Sequence, residues 1–147
     1  MNKKFPAVLL ILCGFAVSLN AQTALQRMYL TFLQSEGYTA EVDQDGDISF
    51  KAAGKTYFII IDAKDTQFFQ LMYGINIPDE DKPRVPEAVN YINRIKKVVK
   101  AYVDREGDPI LTVEAFLKDP QDFAAVFPRM MEALDNARNE LVGRLDE

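Results

Sequence analysis

Ala40-Glu41-Val42-Asp43-Gln44-Asp45-Gly46-Asp47-Ile48-Ser49-Phe50-Lys51-Ala52-Ala53-Gly54-Lys55-Thr56-Tyr57-Phe58-Ile59-Ile60-Ile61 reads as three strands joined by two tight turns. Tyr38, Ala40 and Val42 alternate with Thr39 and Glu41, the period of a half-buried strand. Asp45-Gly46 is a strong hairpin signal, because both residues tolerate positive φ. Ile48, Phe50 and Ala52 resume the alternation, Gly54 turns the chain again, and Tyr57 to Ile61 form an almost wholly apolar strand. Hairpin-length connections between consecutive strands dictate antiparallel pairing.

Outward from this core, Leu25, Met28, Tyr29, Phe32 and Leu33 recur on one helical face, which predicts a helix from Ala24 to Glu36 capped by Gly37. A fourth strand follows over Phe68 to Tyr73. Three prolines between Ile77 and Pro86 predict a loop, since proline removes a donor and restricts its predecessor. A second helix is expected from about Pro86 to Lys96, then a strand from Val99 that ends at Asp104 and another over Leu111–Leu117, about a turn at Glu106-Gly107-Asp108-Pro109. Asp119-Pro120 opens the last helix by capping chemistry, and Pro128 is expected to kink or split it. The expected fold is α+β: a mostly antiparallel sheet with helices packed on one face, in the order α-β-β-β-β-α-β-β-α. No internal repeat is apparent at this level.

The N-terminus carries a different signal. Lys3 and Lys4 precede an uncharged, mostly apolar stretch from Phe5 to Leu19, which predicts a secretory signal peptide over residues 1–21 and a single domain over 22–147. Cleavage after Ala21 is expected, with Ser18 and Asn20 as alternatives. The stretch is shorter than the roughly 20 residues a bilayer span needs, so no stable membrane span is expected after cleavage. Leu12 before Cys13 departs from the small residue of a lipoprotein signal. The expected location is periplasmic or secreted.

Export also limits chemistry. Cys13 is the only cysteine and leaves with the signal, and the chain has no histidine and no tryptophan. Sulfur or imidazole metal sites are therefore excluded from the mature chain, as are Ser-His-Asp and Cys-His catalysis. No cofactor and no enzymatic role are expected. The net charge of −5 becomes more negative once the two leader lysines are gone, which disfavours nucleic acid as a partner. Asp43, Asp45 and Asp47 alternate as in a calcium loop, but the sixth and twelfth positions hold Ile48 and Gly54 where glycine and glutamate are required. A solvated hairpin tip is the plainer reading. Asp79, Glu80 and Asp81 form an acidic loop cluster without a pocket to separate their pKa values.

The strands Tyr57–Ile61 and Phe68–Tyr73 are apolar on both faces, whereas Lys100, Tyr102, Thr112 and Glu114 make the last two strands polar on one. One side of the sheet is thus apolar throughout, and the other only in its middle. Phe58, Ile60, Phe69, Leu71 and Tyr73 are the candidate partner-binding residues, and the alternation does not say which face is covered.

Several segments resemble the YbjN-like family, whose fold is similar to that of type III secretion chaperones. They are Ser35-Glu36-Gly37-Tyr38, Asp45-Gly46-Asp47-Ile48-Ser49-Phe50, Tyr57-Phe58-Ile59-Ile60-Ile61, Phe68-Phe69-Gln70-Leu71, Ala88-Val89-Asn90-Tyr91-Ile92-Asn93, Lys100-Ala101-Tyr102-Val103-Asp104 and Phe127-Pro128-Arg129-Met130. The resemblance implies sensory regulators, or chaperone-like proteins that dimerise and bind polypeptides. An exported leader departs from a cytoplasmic family. The function expected is a non-catalytic, chaperone-like binding module that holds another polypeptide, or a second copy of itself, through an apolar sheet face or a helix groove. The alternative is an envelope sensory domain that binds a small ligand.

Overall fold

A computed structural model describes residues 23–146; the expected signal peptide, its cleavage site and Cys13 lie outside the described residues. Helix α1 spans Ala24–Ser35, one residue short of expectation, because Gly37 reverses the chain at φ 86°. Thr23 caps it: its hydroxyl accepts from the Gln26 amide at 3.2 Å, while the Gln26 side chain accepts from the Thr23 amide at 2.8 Å. Strands β1 (Thr39–Val42), β2 (Ile48–Ala52), β3 (Lys55–Ile60) and β4 (Phe68–Gly74) follow as hairpins. Helix α2 (Val85–Ile95), strands β5 (Val99–Val103) and β6 (Pro109–Phe116), and helix α3 (Phe123–Leu145) complete the expected order. The sheet is antiparallel in the order β1-β2-β3-β4-β6-β5.

Three helices cover one face. Tyr29, Leu33, Ile92, Phe123, Phe127 and Leu134 meet Phe50, Tyr57, Ile59, Phe69, Leu71 and Leu111 in one continuous core. Phe123 is its hub, with ring centroids 4.7 Å from Tyr29, 4.8 Å from Phe32 and 5.5 Å from Phe69. Each fully buried side chain of this size contributes about 1.5–3 kcal/mol. Pro128 does not split α3. It removes one N–H early in the helix, while Phe123 and Phe127 before it and Met130 and Leu134 after it bury into the same core. Tertiary packing overrides the local rule.

Tyr57 ties α3 to the sheet. Its hydroxyl donates to the Asp135 carboxylate at 2.5 Å, and Lys55 pairs with the same oxygen at 3.2 Å. Burial first, and then this bond, push the Tyr57 hydroxyl above the ordinary tyrosine range, so it stays a donor. Tyr57→Phe is expected to lower stability by about 2 kcal/mol, the value of a hydrogen bond to a charged group. Urea unfolding that shows no change would contradict this tie.

Against the expectation of no internal repeat, the two edge hairpins share a motif. Ala40-Glu41-Val42-Asp43-Gln44-Asp45-Gly46-Asp47 recurs as Ala101-Tyr102-Val103-Asp104-Arg105-Glu106-Gly107-Asp108, each joining the two strands of a hairpin behind a helix. The turns bond identically: Asp43 Oδ1 accepts from the Asp45 and Asp47 amides at 3.0 Å, and Asp104 Oδ1 from the Glu106 and Asp108 amides at 2.9 Å. The two hairpins stand at opposite edges of the sheet. The edges differ: the Asn93 amide caps β5 through two 2.9 Å bonds to Ala101, a device that blocks further strand pairing there.

Candidate functional site

Period-two alternation carries every second strand residue to the face without helices. There, Phe58 pairs with Met72, Ile60 with Gln70 and Phe68 with Phe116. The Phe68 and Phe116 rings lie 5.5 Å apart, and Phe116 is 81% exposed. Tyr102, 39% exposed, sets its hydroxyl 4.0 Å from the Met72 sulfur. Together these residues form an aromatic and thioether surface on the middle strands, with Thr39, Glu41, Lys51 and Thr56 beyond it toward β1.

A polar cluster sits inside this surface. One oxygen of Glu114 accepts from Gln70 Nε2 and from Thr112 Oγ1, both at 3.0 Å, and pairs with Lys100. Thr112 is fully buried on this side because Met72 and Lys100 flank it in register. Such a fixed polar centre within an apolar patch offers anchoring area and orientation together.

The candidate residues divide. Phe58 and Ile60 lie on the open face, half-buried. Phe69, Leu71 and Tyr73 do not: they point under the helices and belong to the core, so the five residues do not form one surface. The alternation was read correctly, but the covered face is the one that holds the three β4 residues. Phe68, Met72, Tyr102 and Phe116 complete the open face instead. Gln70 is the signal that marks it, being the one polar side chain among the apolar residues of β4.

The acidic groups serve other ends. Asp47 accepts from the Ile61 amide at 2.7 Å and Asp108 from the Ile77 amide at 2.9 Å, so each hairpin carboxylate fastens a neighbouring segment. Asp104, Glu106 and Asp108 bring carboxylate oxygens within 4.8 Å, with Lys82 3.9 Å from Asp108. Asp79 and Asp81 pair with Lys82 and Arg84 in the loop before α2. Burial, opposed by the Ile61 bond but joined by repulsion from Asp43 and Asp45, raises the Asp47 carboxyl above its ordinary range. A raised carboxyl favours the fold when protonated, and that contribution is lost as pH rises through the folded-state value. Asp47→Asn, a permanently neutral acceptor, is therefore expected to melt higher than wild type at neutral pH. Its advantage should shrink on acidification through the carboxylate range; paired melting curves showing a pH-independent difference would oppose this.

Comparison with known proteins places the fold. In structure the chain is similar to an uncharacterized protein from Methanothermobacter thermautotrophicus, with TM-score 0.63 and 12% identity over 83% of this chain and 96% of that one. It is also similar to YbjN from E. coli, with TM-score 0.60 and 11% identity over 76% and 86%. The Yersinia pestis type III secretion chaperone SycH, solved with a fragment of YscM2, matches at TM-score 0.49 and 11% identity over 78% and 98%. No curated protein matches the chain. Residues 26–123 match the YbjN family, described as "Putative bacterial sensory transduction regulator". With two thirds of its length matched, this chain belongs to the YbjN family.

Proposed function

We propose that the protein is an exported, non-catalytic docking module that holds another polypeptide against the open face of its sheet. The observation that carries this reading is the uncovered patch of Phe58, Ile60, Phe68, Met72, Tyr102 and Phe116 around the Glu114 cluster. Exposed apolar surface rimmed by polar groups marks interaction sites. Aromatic anchors supply the affinity, and Gln70, Lys100 and Glu114 set orientation. Export rests on the leader-like N-terminus, and a non-catalytic role on the absence of histidine and of any cysteine beyond Cys13. No helix among the described residues is long and apolar enough to cross a membrane.

The small-ligand reading is less well supported. Such a ligand would need room between sheet and helices, and Tyr29, Phe50, Phe69 and Phe123 fill that space. Affinity capture of the processed protein from the cell envelope tests the choice. A specific polypeptide that co-purifies with wild type, and is lost when Phe116 is replaced by aspartate, supports docking on the sheet. Recovery of lipid or a small molecule alone would overturn it.

A further inference from the structure

A second surface borders the open face at β5, where Lys100 belongs to both. The stretch from the end of α2 into β5 reads Arg94-Ile95-Lys96-Lys97-Val98-Val99-Lys100, and no acidic residue occurs between Glu87 and Asp104. Four cations thus cluster in a chain whose net charge is −5. Lys96 pairs with Glu140 at 3.6 Å and Lys100 with Glu114, while among the described residues Arg94 and Lys97 make no ion pair. Two aliphatic side chains project between these cations: Ile95 is 42% exposed and Val98 72%.

Val98 is the telling residue. It holds φ at +59°, a conformation that a β-branched residue adopts only under strain. The corresponding turn of the first repeat uses Gly37 at φ +86°. A glycine suits that backbone, yet the second repeat keeps an exposed, strained valine. Strain maintained at an exposed apolar residue points to function rather than folding.

We infer that the Arg94–Lys100 loop docks on an anionic lipid surface, with Ile95 and Val98 entering the headgroup boundary and the cations meeting lipid phosphates. Cations interleaved with projecting aliphatics suit that boundary, where apolar area and charge attraction add. The overall negative charge does not prevent it, because charges beyond a Debye length of about 8 Å are screened at physiological salt. Apart from Lys100, which it shares with the open face, this inference draws on residues outside the polypeptide-docking reading.

The test is co-sedimentation of the processed protein with phosphatidylcholine vesicles, with and without phosphatidylglycerol. Binding is expected only with phosphatidylglycerol and should fall about tenfold or more at high salt. Val98→Gly separates function from folding: it should raise the melting temperature by about 3 °C through relief of strain. The same variant should weaken vesicle binding about fivefold, and Lys97→Glu should do so at unchanged melting temperature. Vesicle binding unaffected by Val98→Gly would overturn the inference. So would retention on soluble heparin without any binding to phosphatidylglycerol vesicles.

Discussion

Replacing Phe123 with alanine is expected to lower the unfolding free energy by about 3–5 kcal/mol, the range for deleting a fully buried phenylalanine. Phe123 touches α1 through Tyr29 and Phe32 and β4 through Phe69, so three elements lose their shared contact at once. Tyr29 and Phe69 around it themselves pack with ring centroids 5.7 Å apart, which restricts how far the cavity can collapse. Phe116→Ala deletes the same atoms from an exposed position on the open face and should stay within about 0.5 kcal/mol of wild type. Urea unfolding of the two variants makes the comparison, and equal losses would refute this assignment of core and surface.

The second large effect concerns binding. The paired change Phe58→Thr and Phe116→Asp removes two aromatic anchors from the open face without touching the covered one. Anchors of this kind contribute about 2 kcal/mol each, and each 1.4 kcal/mol is tenfold in affinity. The affinity for a polypeptide captured from the envelope is therefore expected to drop on the order of a thousandfold. Threonine keeps strand propensity at position 58, and the Glu114 cluster keeps its register. Titration calorimetry with the captured polypeptide reads the loss; a change below threefold would place the contact elsewhere.

The fold was legible where local chemistry and tertiary packing agree. Alternation, Asp45-Gly46 and Gly54 locate the first hairpins to within two residues, and Thr23 to Gly37 carry both ends of α1. Pro128 does not split α3, because a local penalty says nothing of the packing on either side of it. The repeat is short, confined to the strand ends and turns of the two hairpins, while α1 and α2 bury different side chains. The site was legible by half. A strand's period separates two faces, but only helix placement decides which is covered, and the register of Gln70 against Glu114 appears only once the sheet is assembled. Val98 carried no sequence signal, since a valine beside a strand gives no hint of positive φ.

The central claim is that the uncovered sheet face meets a polypeptide. Photo-crosslinking in the cell envelope, with benzoylphenylalanine in place of Phe116 and separately in place of Glu132 on the exposed side of α3, tests it directly. A discrete polypeptide adduct from position 116, and none from position 132, is the result expected. Adducts from α3, or none from the sheet face, would contradict it.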